Sequence, residues 1–171
     1  MHAAPSPGPI RKEAHVIEKL EHLVDEVGAL HSKLVLLIGQ PHSGKTALLQ
    51  TLATNRGVTP LNVGAELGGR LAGMPQRQRH LQTTTILREL ADQHATGDLL
   101  LLDNIELLFD RSLQLDPLDL LKRHAHAKPV VAVWPGELQG DTRTGRLTYA
   151  DMGHPEHQDY SLAGVVPFEI Q

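Results

Sequence analysis

The chain has 171 residues, a formal net charge of −4, 40% hydrophobic residues and only 3% aromatic residues. That length suits about one domain with a mostly aliphatic core, and the acidic balance argues against a protein whose main task is to coat nucleic acid. The sequence contains no cysteine, which excludes disulfides and thiolate metal sites. No apolar stretch approaches the roughly 20 residues that cross a bilayer, so we expect a cytoplasmic protein without a membrane partner.

The amino-terminal residues divide into a tail and a helix. Residues 1–9 are rich in proline and small residues and lack the cationic and apolar regions of a signal peptide, so they are predicted to be a disordered tail. From Ile10 to Leu30, apolar residues recur at the spacing of one helix face. We expect this helix to pack against the sheet edge rather than a neighbouring subunit, and residues 10–171 to form a single domain.

The most informative motif follows this helix. An apolar run, Leu34 to Ile38, leads directly into the pattern G-x-x-x-x-G-K-T of residues 39–46. In such a P-loop the glycines let backbone N–H groups point inward at nucleotide phosphates, Lys45 reaches the terminal phosphates, and the Thr46 hydroxyl ligates Mg²⁺. A helix from Lys45 to about Asn55 would turn its positive end toward the same phosphates. The sequence therefore predicts that ATP and Mg²⁺ are bound by the loop and the start of its helix: Gly39, Gln40, Pro41, His42, Ser43, Gly44, Lys45, Thr46 and Ala47.

The segments after the P-loop helix alternate between apolar runs and helical patterns. Thr59–Val63 is predicted to be a short strand, and the glycines between Gly64 and Pro75 are expected to interrupt any helix there. Residues 76–94 have apolar side chains at helical spacing. The apolar run 98–103 ends in an acid, which predicts a Walker B strand.

The second half of the chain continues this alternation. Pro117 is predicted to begin a helix that runs to about Ala127, and the β-branched run 129–134 predicts a buried parallel strand. Beyond residue 136, Arg146–Ala150 is the only strand candidate. The pattern predicts a three-layer α/β P-loop NTPase domain with a mostly parallel sheet and ligands at the carboxyl ends of its strands. We expect the AAA/ASCE-like order, with another strand between the P-loop and Walker B strands, and no helical lid domain.

The acid at the end of the Walker B run is Asp103, which is expected to hold Mg²⁺ across from Thr46. Many such ATPases place a glutamate next to orient the attacking water, but here the next residue is Asn104. An amide can position water but cannot accept its proton. Either Glu106 substitutes from one turn further on, or hydrolysis is slow, or a partner completes catalysis. Glu106 is equally well explained as a solvated turn residue.

Other candidate residues are less specific. Trp134, at the end of the fourth strand, is interpreted as core packing in preference to an indole N–H that senses the γ-phosphate. Arg143 and Arg146 are candidates for an arginine finger that reaches a neighbour's nucleotide. Solvated surface side chains explain the histidine pairs at 124/126 and 154/157 better than metal binding, and a solvated helix start explains the basic residues 70–80 better than DNA contact.

Several segments together are far more specific than the P-loop alone. They are residues 33–46, Leu61-Asn62-Val63, the D-N-I-E-x-L-F-D segment 103–110, Asp116-Pro117-Leu118, residues 131–137 with their W-x-G-E motif, Gly145 to Ala150, and Gly153-His154-Pro155-Glu156. From about Lys33 to Tyr160 the chain resembles BrxF, the small P-loop family of type 3 BREX (bacteriophage exclusion) systems. The resemblance implies antiviral defence beside a large ATPase, an adenine-specific DNA methyltransferase, an alkaline-phosphatase-like protein and a helicase. It also implies that Asn104 is a property of the family.

Together these patterns favour a P-loop module that binds ATP and Mg²⁺ and hydrolyses ATP slowly. We expect the nucleotide to control assembly, as a homo-oligomer or with other defence proteins. One alternative is a phosphotransferase that acts on a nucleotide or metabolite, although the region 136–153 offers only Arg143 and Arg146 for a lid. Another is a structural subunit that retains nucleotide as a folding ligand.

Overall fold

The computed structural model describes residues 9–30, 33–40, 42–94, 99–140, 146–149 and 158–170. Its helices are α1 (Pro9–Val27), α2 (Lys45–Arg56), α3 (Val63–Ala72), α4 (Gln76–His94) and α5 (Pro117–His124), with two 3₁₀ helices at Ile105–Phe109 and Arg111–Leu113. Its strands are β1 (Leu34–Gly39), β2 (Leu61–Asn62), β3 (Leu100–Asp103), β4 (Val130–Val133), β5 (Glu137–Gln139), β6 (Arg146–Tyr149), β7 (Gln158–Ser161) and β8 (Val166–Ile170). Within these residues, no helix is long and apolar enough to cross a membrane.

The main sheet is parallel throughout and has the strand order β2-β3-β4-β1-β8. Strand β4 lies between the P-loop strand β1 and the Walker B strand β3, with Leu36 and Leu102 both opposite Ala132. This order confirms the AAA/ASCE-like arrangement predicted from the sequence. The prediction of a single strand after residue 136 was wrong, because β5, β7 and β8 also form there, and β8 pairs with β1 along its whole length.

Helices cover both faces of this sheet and make three layers. One face packs on α1 and α2, through a cluster that includes Leu20, Val24, Leu49 and Leu52. The other face carries α3, α4 and α5, and its cluster includes Leu67, Leu90, Leu121 and Trp134. The three-layer α/β fold class is therefore as predicted.

Helix α1 lies on a face of the sheet beside α2, and not at the sheet edge where the sequence placed it. The Arg56 side chain at the end of α2 pairs with Glu21 at 3.2 Å and with Asp25 at 2.9 Å. Because α1 buries Leu20, Val24 and Val27, its apolar stripe requires a broad apolar partner, which the sheet face provides and an edge does not. The helix also begins at Pro9, one residue earlier than predicted.

Helix α3 corrects the prediction that glycines interrupt residues 64–75. It begins at Val63, where the predicted second strand was expected to continue, and the Asn62 side chain caps it by accepting a hydrogen bond from Ala65 N at 3.0 Å. Each glycine costs a helix about 1 kcal/mol relative to alanine. The cap and the burial of Val63, Leu67 and Leu71 along one stripe outweigh that cost.

Helix α5 ends three residues before the predicted Ala127. Its start agrees with the sequence, because Asp116 caps the backbone N–H of Asp119 and Pro117 occupies the first turn. Strands β5, β6 and β7 form a separate antiparallel sheet in that order. Leu147 of β6 belongs to the core cluster around Trp134, so this small sheet packs against the end of β4.

Candidate functional site

The P-loop connects the end of β1 to the start of α2 at the carboxyl edge of the main sheet. His42 and Gly44 have left-handed backbone conformations, with φ of 64° and 94°, and Ser43 N donates to Gln40 O at 3.0 Å. Leu48 N then donates to Gly44 O at 2.9 Å, which begins the helix. Pro41 lies outside the described residues. The chain therefore makes a tight turn that directs the first backbone N–H groups of α2 toward the sheet edge.

Gly39 lies where no side chain fits. A methyl group there would come within 2.6 Å of Ser43 Oγ and 2.9 Å of Ile170 O, so the loop and the end of β8 both approach its Cα. The Ser43 hydroxyl is buried and has no hydrogen-bond partner among the described residues. Buried polar groups are almost always hydrogen-bonded. A phosphate oxygen in the loop would supply the acceptor that this hydroxyl lacks.

Lys45 is half-buried between the ends of β1 and β4. Its ammonium group donates to Gly39 O at 2.9 Å and to Trp134 O at 3.2 Å. Burial lowers the pKa of Lys45, and the carboxylates of Glu106, Asp103 and Glu137, in that order, oppose the shift. The ammonium group is therefore bound by two neutral carbonyls and lies near three carboxylates. It is available to an anionic ligand that binds beside it.

Thr46 and Asp103 meet at the same edge. Thr46 Oγ1 donates to Asp103 Oδ1 at 3.3 Å, although the two residues are 57 positions apart in the chain. Asp103 is 6% exposed, and its Oδ1 also accepts from Asn104 N at 2.8 Å. A hydroxyl and a fixed carboxylate are the hard oxygen ligands that Mg²⁺ prefers. The two predicted metal ligands are thus close enough to hold one ion between them.

The backbone conformation at Asn104 favours asparagine over the glutamate that many P-loop ATPases have at this position. Asn104 has φ 51° and ψ 52°, and its carbonyl accepts from Gly64 N at 3.0 Å, which ties β3 to the start of α3. Asparagine tolerates this left-handed conformation better than other non-glycine residues. Its side chain is exposed, and it offers no proton acceptor.

Glu106 is the carboxylate that acts most strongly on Lys45. It lies in the first turn of the 3₁₀ helix Ile105–Phe109 and is exposed. Together with Asn104 and Gly64 it lines an open cavity of about 450 Å³. Glu106 therefore faces open space next to Asn104, and its charge acts on Lys45.

Trp134 is fully buried, as the core-packing interpretation predicts. Its indole N–H donates to Thr148 O at 3.0 Å, and its ring makes edge contacts with Phe109 and Tyr160 at centroid distances of 5.2 and 5.4 Å. The alternative, an indole N–H that senses phosphate, is wrong because that N–H already has a partner inside the core. It is the Trp134 carbonyl that contacts the site, through Lys45.

Gly136 and Glu137 had no role assigned to them from the sequence. A methyl group on Gly136 would lie 1.5 Å from Thr148 O, so this glycine allows the backbone of β6 to pass. Glu137 follows it and is the third carboxylate that acts on Lys45. The available signal was the W-x-G-E motif itself, which continues directly from the end of β4.

No protein-family model matches this sequence, and no curated protein matches it. Among solved structures, the crystal structure of a DNA replication initiation factor is similar, with a TM-score of 0.52 and 18% identity over 96% of this chain and 47% of that one. The AMPPCP-bound DnaA from Aquifex aeolicus has a TM-score of 0.48 and 20% identity over 90% of this chain and 44% of that one.

The chain has a P-loop NTPase fold. The first of these likenesses, together with the strand order, shows that fold and nothing further about activity. The chain spans about half the length of the solved structures that it matches.

The remaining candidates make no hydrogen bond or ion pair with the P-loop site within the described residues, or they lie outside those residues. Arg146 is exposed on β6, and Arg143 is not described. Arg70 pairs with Glu89 at 3.8 Å, and Arg79 Nε donates to Met74 O at 3.3 Å. His154 and His157 lie outside the described residues. His124 was interpreted as solvated, but it is half-buried at the end of α5, in a cavity that α4 also lines.

Proposed function

We propose that this protein binds ATP with Mg²⁺, hydrolyses ATP slowly, and uses the bound nucleotide to control assembly in a BREX-type defence system. The observation that carries the nucleotide part is the 3.3 Å contact between Thr46 and Asp103, made beside the half-buried ammonium group of Lys45. These side chains are the P-loop lysine, the P-loop threonine and the Walker B aspartate of a P-loop NTPase site, and they meet at the carboxyl ends of the strands.

Each residue then has a defined task. The loop N–H groups and the Ser43 hydroxyl bind phosphate oxygens, and the Lys45 ammonium group exchanges its two carbonyl partners for the terminal phosphates. Thr46 and Asp103 are the residues that would hold Mg²⁺, which neutralises the charge of the phosphates when it is bound. The polar, open geometry suits an anionic ligand and a hard cation.

Slow hydrolysis follows from the residue after Asp103. Asn104 cannot accept a proton, and its backbone conformation favours asparagine over glutamate. Glu106 is the carboxylate with the strongest influence on Lys45 and is open to water, so we assign it the role of general base. Its place one turn beyond the usual position makes a slow reaction the expectation, or one that a partner completes.

The defence role is supported by the D-N-I-E-x-L-F-D and W-x-G-E segments. Both surround Lys45 in space, since they supply Asp103, Glu106 and Glu137. The resemblance to BrxF therefore involves the residues that shape the candidate site as well as the P-loop. The proposed partners are a second copy of this chain and BREX proteins such as the large ATPase, the methyltransferase and the alkaline-phosphatase-like protein.

Equilibrium binding of labelled ATP with Mg²⁺ tests the nucleotide part. We expect saturable binding that Lys45→Ala abolishes and that Lys33→Ala preserves, because Lys33 carries the same charge but lies just before the opposite end of β1. Circular dichroism of each variant checks that it is folded. Absence of ATP binding by the wild-type chain, or equal binding by the Lys45→Ala variant, would contradict the proposal.

A further inference from the structure

A second charged cavity lies near the amino-terminal ends of β3 and β4, at the opposite end of the strands from the P-loop. It has a volume of about 190 Å³ and is formed by α4, by the end of α5 and by the residues that lead into β4; its lining is Arg88, Ala91, Asp92, Arg123, His124, Ala127 and Lys128. Parallel strands β3 and β4 begin near this end, whereas the P-loop lies at their carboxyl ends. The cavity is therefore separate from the proposed nucleotide site.

The charges of this cavity are unbalanced. Arg123 is paired with Asp119 at 2.8 Å. Arg88 and Lys128 make no ion pair with any described residue. Among the described residues that line the cavity, Asp92 is the one carboxylate. The net charge of the whole chain is −4. Two cations in one cavity that lack an ion-pair partner among the described residues are a local feature that the negative net charge of the chain does not explain.

Helix capping accounts for only part of this cluster. Basic residues in the last turn of a helix interact favourably with its dipole, which explains Arg123 and His124 at the end of α5. Arg88 lies more than a turn before the end of α4, and Lys128 follows α5, so neither is a capping residue. Their convergence on one cavity points to a ligand.

His124 lies among these cations and is half-buried. Burial lowers its pKa, and the charge of Arg88 lowers it further, while Asp92 opposes the shift. Arg123 and Lys128 are the other charged groups that line the cavity. An anion bound there would favour the imidazolium, so the histidine reports directly on occupancy.

We propose that this cavity binds a phosphate group through Arg88, Lys128 and His124. Its volume is below the roughly 300–1,000 Å³ typical of pockets for drug-sized ligands, which suits a group the size of an oxyanion. Guanidinium and ammonium groups are the usual protein partners of phosphate oxygens. The phosphate comes either free in solution or from a nucleic-acid backbone, and both sources present the same oxygens.

The test follows the His124 ring of the full chain by ¹H–¹⁵N NMR during a pH titration, with and without inorganic phosphate at matched ionic strength. We expect phosphate to raise the pKa of His124 by about one unit or more, as an opposite charge at close range does. The change should disappear in the double variant Arg88→Ala/Lys128→Ala. It should persist in Lys45→Ala, which separates this site from phosphate binding in the P-loop.

A matched control removes two other positive charges, one from α4 and one from α5. Arg77 lies in the first turn of α4, and the Lys122 side chain of α5 extends toward Gly164, where its Cε would lie 3.5 Å from a methyl group on that glycine. The Arg77→Ala/Lys122→Ala variant should keep the phosphate effect on His124. Backbone NMR spectra check the fold of every variant.

Oligonucleotides distinguish the two sources. If a short single-stranded or duplex oligonucleotide raises the pKa of His124 at much lower concentration than inorganic phosphate, the ligand is the nucleic-acid backbone. If only inorganic phosphate does so, the ligand is a free phosphate. The proposal is overturned if neither changes the pKa of His124, or if the change survives in Arg88→Ala/Lys128→Ala.

Discussion

Gly136 has no room for a side chain, whereas Gly69 has. Substituting each of them by alanine therefore tests the packing around the site. At Gly136 a methyl group would lie 1.5 Å from Thr148 O and 2.9 Å from Trp134 Nε1, so the backbone of β6 would have to move. At Gly69, on the exposed side of α3, a methyl group meets nothing within 4 Å. We predict that Gly136→Ala lowers the free energy of unfolding by about 3 kcal/mol, as other overpacked cores do.

The matched substitution Gly69→Ala should raise the free energy of unfolding by about 0.5–1 kcal/mol, because alanine loses less backbone entropy in a helix. Urea denaturation followed by circular dichroism measures both values. Similar effects of the two substitutions would show that β6 does not pass close to Gly136.

The proposed role of Glu106 as general base can be tested by substitution. If it accepts the proton of the attacking water, Glu106→Gln should lower the ATP turnover rate by about 10²–10⁴-fold, the usual contribution of a general base. The affinity for ATP should change little, because the phosphates are bound by the loop and by Lys45. Steady-state phosphate release and equilibrium ATP binding measure the two quantities.

Glu137→Gln is the informative comparison, since Glu137 also acts on Lys45 and is half-buried. A large loss of turnover in Glu137→Gln with none in Glu106→Gln would transfer the role of base to Glu137. The exposed Glu66, in the first turn of α3, supplies a neutral control as Glu66→Gln.

Among the elements, the small sheet β5-β6-β7 is linked to the P-loop by hydrogen bonds of Trp134. The Trp134 carbonyl accepts from Lys45 at 3.2 Å, and its indole N–H donates to Thr148 of β6 at 3.0 Å. When phosphates draw the ammonium group away, the carbonyl loses that bond. A movement of Lys45 would therefore affect Trp134, whose indole N–H bonds the strand that carries Arg146.

This link predicts a fluorescence signal, because Trp134 is the single tryptophan of the chain. We expect ATP with Mg²⁺ to change the intensity or wavelength of its emission. Lys45→Ala should change the emission of the free protein and abolish the response to ATP, while Lys33→Ala should behave as wild type. If ATP binds by an independent measurement and the emission stays constant, Lys45 keeps its contact with Trp134.

Local sequence patterns predicted some helices and strands correctly and missed others. Helix α4 agrees with its apolar spacing at both ends, and β3 with its unbroken leucines, because each depends on burial of its own side chains. Strand β8 was missed because it contains Pro167 and is defined by pairing with β1, far away in the sequence. Helix α3 was missed because its cap and buried stripe outweigh its glycines.

For the molecule as a whole, the alternation of strands and helices predicted the mostly parallel sheet, the place of one strand between the P-loop and Walker B strands, and ligands at the carboxyl ends of the strands, but not the edge strand β8. The convergence of Thr46 and Asp103 follows from two local motifs, once parallel strands bring their carboxyl ends together. Glu137 and Gly136 could not be assigned in the same way, since their proximity to Lys45 and Thr148 depends on the path of the chain after β4.

The openness of the proposed site leads to a prediction about assembly. Thr46, Asn104 and Glu106 are all exposed, and the cavity of about 450 Å³ that Asn104 and Glu106 line is open to solvent. Efficient hydrolysis requires exclusion of bulk water and completion of the catalytic groups, which a second chain covering this edge would provide. We therefore expect the ATP-bound form to associate more strongly than the free or ADP-bound form.

Light scattering coupled to size-exclusion chromatography measures this directly. The mass should increase with Mg²⁺ and a non-hydrolysable ATP analogue, remain lower with ADP or without nucleotide, and not respond in Lys45→Ala. If Arg146 acts on a neighbour's nucleotide, Arg146→Ala should lower turnover while ATP affinity is retained. A constant mass in all three states, with equal increases in melting temperature for ATP and ADP, would instead identify a structural subunit that retains nucleotide as a folding ligand.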